Sequence, residues 1–162
     1  MIFRLSRLGG AKPTRDGDTF ISAGLERKWV LQYDIHMPPE ELKRIMIIED
    51  DKFLSSLIKV RLEREGLTVI QAFDGEEAIE LLKTERPDLF VLDLIMPKVT
   101  GFEVLQAISM MPEFEKVPVI ILSNLAQDSD IQKAKEFGAR EYFIKVKISI
   151  DDILKKIKAL VE

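Results

Sequence analysis

Residues 89 to 101 read Leu-Phe-Val-Leu-Asp-Leu-Ile-Met-Pro-Lys-Val-Thr-Gly, and the order of residue types in this stretch decides the architecture. Leu89 to Leu92 is an unbroken apolar run, too short for a helix and without the polar alternation of a strand that faces water on one side. A strand buried on both faces has this appearance, and such strands belong to parallel sheets covered by helices above and below. The run stops at Asp93. Beyond it apolar residues recur at helical spacing, at Phe102, Leu105 and Ile108.

The same unit recurs in both directions. Short apolar runs at Arg44 to Ile48, Leu67 to Ala72, Leu89 to Leu92, Val117 to Leu122 and Glu141 to Ile144 alternate with segments of 3.6-residue period, a βα repeat made five times. The first helical stripe is Phe53, Leu54, Leu57, Ile58 and Leu62. The second runs through Ala78, Leu81 and Leu82, and the last through Ile150, Ile153, Leu154, Ile157, Leu160 and Val161. The fourth, with Ile131, Ala134 and Phe137, is the thinnest, so that helix is expected to leave a face for water or a partner. Runs one, three and four are continuously apolar and suit central strands. Run two carries Thr68 and Gln71, and run five begins with Glu141 and Tyr142, which suits edges. With right-handed helical crossovers the expected fold is α/β, a flavodoxin-like (βα)5 three-layer sandwich with parallel sheet order 2-1-3-4-5. Its ligand crevice lies at the carboxyl ends of strands one and three.

Four features of composition narrow the function. The 162 residues are 46% apolar and 32% charged, which describes a folded chain, and 24 Lys plus Arg against 28 Asp plus Glu give a net charge of −4. Such a balance offers no general attraction to a phosphate backbone, so direct nucleic-acid binding is not expected. The absence of cysteine excludes disulfides, thiolate catalysis and Cys-based zinc sites, and a single histidine makes no metal cluster. No stretch approaches the ~20 apolar residues of a membrane span, so no membrane insertion and a cytoplasmic location are expected. Residues 1–36 stand apart. They hold four of the eight glycines, the only Trp (Trp29) and the only His (His36), and their six basic and four acidic residues give +2, leaving −6 for the rest. They are read as an N-terminal extension, weakly structured or upstream sequence read in frame. Residues 37–42 form a short lead-in and 43–162 the domain.

Glu49 and Asp50 follow the first run, Asp93 the third, Ser123 the fourth and Lys145 the fifth. Taken singly, each has an ordinary explanation: Asp50 or Asp51 as a helix N-cap, Ser123 as a loop hydroxyl, Lys145 as a solvated cation. Taken together, they converge on one rim, which is the signature of a site. Crowded carboxylates need a cation, and an all-oxygen cluster with few protein ligands suits Mg²⁺. With such a metal, one carboxylate can act as a nucleophile toward a phosphoryl donor while a lysine neutralises charge on the equatorial oxygens.

The strings IMIIEDD (45–51), VLDLIMPKVTG (91–101), VIILSN (119–124) and YFIK (142–145), with Asp93, Met96, Pro97 and Gly101 in the spacing DxxMPxxxG, resemble a response-regulator receiver domain over residues 43 to 162. The resemblance implies a phosphoprotein of a two-component phosphorelay. Asp93 matches the phospho-acceptor, and Glu49 and Asp50 the acidic pair, with Asp50 ligating Mg²⁺ directly, Glu49 through water, and the Ile95 carbonyl adding a ligand. Ser123 matches the switch hydroxyl, Lys145 the signature lysine and Tyr142 the aromatic switch. The implied partners are a sensor histidine kinase or phosphotransfer protein and an output protein that reads the surface of helix four, strand five and helix five. The chain is expected to be phosphorylated and dephosphorylated at its own site rather than to turn over a substrate.

Three features depart from that family: Val146 stands where proline usually follows the lysine, Asn124 where a small residue follows the switch hydroxyl, and residues 1–36 have no counterpart. A non-proline cis bond costs about 2.5 to 4 kcal/mol, so the Lys145–Val146 bond is expected to be trans and the loop from Lys145 to Ser149 redrawn. Three other functions fit parts of the pattern. A haloacid-dehalogenase-type phosphatase also uses Mg²⁺ and an Asp nucleophile, but carries DxD after its first strand, where this chain has Glu49-Asp50-Asp51-Lys52. A flavodoxin needs a phosphate loop, which an acidic segment repels. A receiver-like module that is never phosphorylated would have no use for the intact acidic pair, Asp93, Ser123 and Lys145.

Overall fold

A computed structural model of the protein describes residues 42–161; the expected extension at 1–36 and the lead-in up to residue 41 lie outside the described residues. Strands β1 (Arg44–Ile48), β2 (Thr68–Ala72), β3 (Leu89–Leu92), β4 (Val119–Ser123) and β5 (Glu141–Ile144) alternate with helices α1 (Lys52–Arg64), α2 (Gly75–Leu82), α3 (Gly101–Met110), α4 (Asp128–Glu136) and α5 (Ile150–Val161). The strands are parallel throughout and ordered β2-β1-β3-β4-β5, as the distribution of polar residues among the runs requires.

Successive side chains of a strand point to opposite faces, and here both faces are apolar. Ile45, Ile47, Leu89, Val91, Ile120 and Leu122 pack on one side with Ile58 and Leu62 of α1 and Ile153, Leu154 and Ile157 of α5. Met46, Ile48, Phe90, Leu92, Val119 and Ile121 pack on the other with Ala78 and Leu82 of α2, Val104, Leu105 and Ile108 of α3, and Ala134 of α4. β3 and β4 are buried at every position, whereas β2 and β5 are only partly buried, which accounts for the polar residues they tolerate. Ala134 is the only buried residue of α4, in keeping with its thin stripe.

Three expectations are corrected. β2 begins at Thr68 because the Leu67 N–H donates to the Leu62 carbonyl and closes the end of α1, past Gly66 at φ 82°. β4 begins at Val119 because the Val117 N–H is engaged by Phe114 in the preceding 3-10 turn and Pro118 has no N–H to give. Phe53 is not part of the core stripe: it is 79% exposed, standing two positions before the buried Ser55 and so about 200° around a 3.6-residue helix. Met110 is 75% exposed, while its neighbour Met111 packs on the core. Gly138 has a positive φ of 92°. Gly75 does not; it is small because a Cβ there would come 2.4 Å from the Val99 carbonyl oxygen.

Leu62 is fully buried, so Leu62→Ala is expected to cost about 3 kcal/mol in urea unfolding, against no more than about 0.5 kcal/mol for Phe53→Ala. Equal losses would mean that α1 presents a different face to the sheet.

Candidate functional site

The rim is built by strands that stop at polar residues only when they leave the core. The Glu49 N–H donates to the Ala72 carbonyl at 3.0 Å and the Asp93 N–H to the Ile48 carbonyl at 2.9 Å, so the backbone of both acids is still tied to the sheet. Their side chains are buried, 2% and 4% exposed, while Asp50 beside them is exposed. Carboxylate oxygens of Glu49, Asp50 and Asp93 all lie within 4.8 Å of one another. Asp51 is the N-cap of α1, accepting from the Phe53 and Leu54 N–H groups at 2.9 and 3.1 Å. Capping therefore falls to Asp51, and Asp50 is left over for the pocket.

Lys145 reaches across from the end of β5. Its Nζ donates to Asp93 Oδ2 at 2.6 Å and lies 2.8 and 2.7 Å from the two oxygens of Glu49. The other Asp93 oxygen, Oδ1, accepts from the Ile95 N–H at 3.0 Å. Burial pushes the Glu49 carboxyl above its ordinary pKa despite the lysine beside it. For Lys145 burial works downward, but the hydrogen bonds to Asp93 and Glu49 outweigh it and the ammonium is held above its ordinary value. Gly101 lies directly behind the acceptor strand: a Cβ there would meet the Asp93 carbonyl oxygen at 1.9 Å.

Ser123, fully buried, ends β4, the neighbour of β3 in the sheet. Its Oγ accepts from the Leu125 N–H at 3.4 Å, and the Tyr142 hydroxyl donates to the Leu125 carbonyl at 3.0 Å. Burial, followed by the charges of Asp130 and Asp93, raises the Tyr142 pKa, so the phenol stays a donor. Glu49, Asp50, Asp93 and Lys145 are thus brought together directly. Ser123 and Tyr142 share Leu125 as their partner.

A family model described as a response regulator receiver domain matches residues 45–158. The chain belongs to the response-regulator receiver family. Similar proteins include the DNA-binding dual master transcriptional regulator RpaA of Synechocystis, 36% identical over 74% of this chain and 49% of that protein. The alkaline phosphatase synthesis transcriptional regulatory protein PhoP of Bacillus subtilis is 36% identical over 73% of this chain and 48% of its own length. Among solved structures, the receiver domain of the Francisella response regulator 1452 superposes with a TM-score of 0.67 at 30% identity, covering 74% of this chain and 96% of that one. A receiver domain protein from Methanospirillum hungatei gives 0.69 at 28%, covering 74% and 94%. The chain spans about half the length of the curated relatives it matches. Among the described residues no helix is long and apolar enough to cross a membrane.

Val146 does not keep Lys145 from the rim. The described residues contain no cis peptide bond, Lys145 to Lys147 form a 3-10 turn, and Lys145 still reaches both carboxylates. Phe53 (79% exposed), Ile95 (50%) and Val146 (82%) are large apolar side chains left exposed close along the chain to Asp50, Asp93 and Lys145, and of these the sequence reading assigns Phe53 to the core. A hydrophobic residue out of phase with its helix, as Phe53 is, was the available signal.

Removing the lysine leaves two buried carboxylates without their cation. Lys145→Met is expected to cost about 3 kcal/mol at pH 7 in urea unfolding, the low end for a broken buried pair because the lysine is partly exposed. Its contribution has the sign of a raised base: present at neutral pH and lost only as pH climbs into the alkaline range where the ammonium deprotonates. In the variant the deficit should shrink toward pH 5, because Glu49, already raised by burial, protonates first. A deficit unchanged between pH 7 and pH 5 would mean that the carboxylates are not what the lysine stabilises.

Proposed function

We propose that Asp93 accepts a phosphoryl group from a phosphohistidine on a partner protein, with Mg²⁺ held by Asp50, Asp93 and the Ile95 carbonyl and, through water, by Glu49. The observation that carries this reading is the state of the Asp93 carboxylate. It is buried, fixed at both oxygens by the Ile95 N–H and the Lys145 ammonium, and clustered with carboxylate oxygens of Glu49 and Asp50. The residues fit a hard dication. The donors are all oxygen, and three carboxylates against one ammonium leave about two negative charges to balance. Among the described residues nothing pairs with the Asp50 carboxylate, whereas both Glu49 oxygens engage Lys145, which favours Asp50 as the direct ligand.

In the transfer an Asp93 oxygen forms the new O–P bond as the N–P bond of the donor histidine breaks, and the imidazole leaves with the electron pair. Bound Mg²⁺ would neutralise charge on the phosphoryl oxygens. Lys145, already 2.6 Å from Asp93, pairs with another of them, and the Ile95 N–H holds the attacking carboxylate in orientation. A protein donor suits the exposed apolar side chains of Phe53, Ile95 and Val146, which follow Asp50, Asp93 and Lys145 closely along the chain and would gain contact from a protein surface. The Ser123 hydroxyl then turns to the phosphoryl group, and Tyr142 and α4 follow, changing the α4–β5–α5 surface. In the relatives the receiver makes up about half of a named transcriptional regulator. The phosphorylated group is stoichiometric and no multiple turnover is expected.

Acetyl phosphate with Mg²⁺ should add one phosphoryl group by intact mass, none without Mg²⁺ and none in Asp93→Asn. Equal labelling of that variant would move the acceptor to Asp50 or Asp51. The product should be long-lived for a receiver. By the family resemblance Ile95 and Leu125 occupy the positions that flank the line of water attack; neither has a hydrogen-bonding side chain, and the exposed Asn124 adds bulk beside Ser123. Loss of the group is therefore expected to be faster in Asn124→Ala and in Leu125→Glu; slower loss in Asn124→Ala would show that the amide orients water instead.

A further inference from the structure

Among the described residues Lys98 is the one residue other than glycine with a positive φ, at 65°. A Cβ is strained in that region and glycine is not, so a lysine there needs a compensating contact. Its Nζ lies 3.0 Å from Asp74 Oδ2 and 3.0 Å from Glu76 Oε2, at the start of α2. The next residue, Val99, is pressed onto Gly75, where a Cβ would lie 2.4 Å from the Val99 carbonyl oxygen and 2.7 Å from its Cβ. At the far end of the loop the Gly101 N–H donates to the Leu94 carbonyl at 3.2 Å, and Gly101 leaves no room for a side chain against Asp93. Residues 94 to 100 are therefore an arc tied at its foot to the acceptor strand and at its crown to α2. Ile95, whose N–H holds Asp93, lies within that arc.

We propose that Lys98 is a positioning residue for the phosphoryl-transfer pocket: by clamping the β3–α3 loop to Asp74 and Glu76 it fixes the Ile95 backbone, whose N–H orients Asp93 and whose carbonyl serves the cation. This rests on the reading of the pocket given above. The hydrogen bonds to Asp74 and Glu76 raise the Lys98 pKa. Asp74 is lowered first by the Glu77 N–H and then by Lys98, as expected of a clamp that is closed. Exposed ion pairs add little to net stability, so the clamp acts on the loop's geometry rather than on the melting temperature.

Lys98→Gly separates this from a structural or a purely electrostatic role, because glycine relieves the backbone strain while removing the clamp. Its melting temperature should equal or exceed that of the parent. On charge alone, deleting a cation near the rim would tighten Mg²⁺ binding. The clamp predicts the reverse, a dissociation constant raised about ten-fold, the low end for groups that orient a metal's ligands. Lys98→Arg should restore it. Calorimetric Mg²⁺ titration of the full chain reads all three proteins. Affinity in Lys98→Gly equal to or tighter than the parent overturns the proposal, as does a loss that Lys98→Arg fails to recover. A parent that binds Mg²⁺ but is not labelled by acetyl phosphate sinks the acceptor reading alone, and the Mg²⁺ affinities still decide the clamp. A parent that binds no Mg²⁺ sinks both.

Discussion

The ammonium of Lys145, set between the buried carboxylates of Glu49 and Asp93, is the interaction on which the pocket depends. Two unit charges at this separation repel by about 3 kcal/mol even at an effective dielectric near 20, and the apolar sheet below supplies no donors to relieve them. The lysine comes from the last strand and the carboxylates from the first and third. The charge balance can therefore be reached only after β5 has been laid against β4, and the site is a product of the whole sheet rather than of any local motif. One cation against three acids also leaves the pocket short of positive charge. That residual deficit is the kind a dication would balance, and Asp50, unpaired among the described residues, is the carboxylate left for it.

The fold was legible in the sequence because a doubly covered parallel sheet allows so little. A central strand has no face on which a polar side chain could sit, so Ile45 to Ile48, Leu89 to Leu92 and Val119 to Leu122 had to read as unbroken apolar runs, and the first polar residue after each marked the rim. The same constraint made Glu49, Asp93 and Ser123 visible as candidates. The edges showed themselves through Thr68, Gln71 and Glu141. Boundaries were harder: Leu67 and Val117 are apolar enough for a strand, yet their N–H groups are spent on the end of α1 and on the Phe114 turn. Hydrogen-bond partners of that kind are not encoded in hydropathy.

What escaped the sequence was decided by direction and close approach. Phe53 matches the apolar composition of α1 but points away from its buried face, and only the phase set by Ile58 and Leu62 shows it. Gly75 is a flat surface for Val99, a close approach that hydropathy does not show. Lys98 reads as one more surface cation, and neither its left-handed backbone nor its two carboxylate partners from a different loop can be inferred from spacing.

The connection from pocket to surface passes through one residue's backbone. Leu125 gives its N–H to the Ser123 hydroxyl and its carbonyl to the Tyr142 phenol, so the loop after β4 is held from two sides by groups on adjacent strands. The 3.4 Å bond to Ser123 is the longer of the two, and on the proposed reading a phosphoryl oxygen on Asp93 would compete for that hydroxyl's orientation with a full charge. Ser123 drawn toward Asp93 would then shift the Leu125 peptide, the partner of Tyr142. The helix that follows buries a single residue, Ala134, with Phe137 at its C-cap packed on the core and Lys133 over the Phe102 ring, and its first turn has no side-chain cap. A pocket tied together by Lys145 and a helix with one buried residue are the two ends of this path. On the proposed reading, a single covalent bond at the first end would act on the second through the Leu125 peptide.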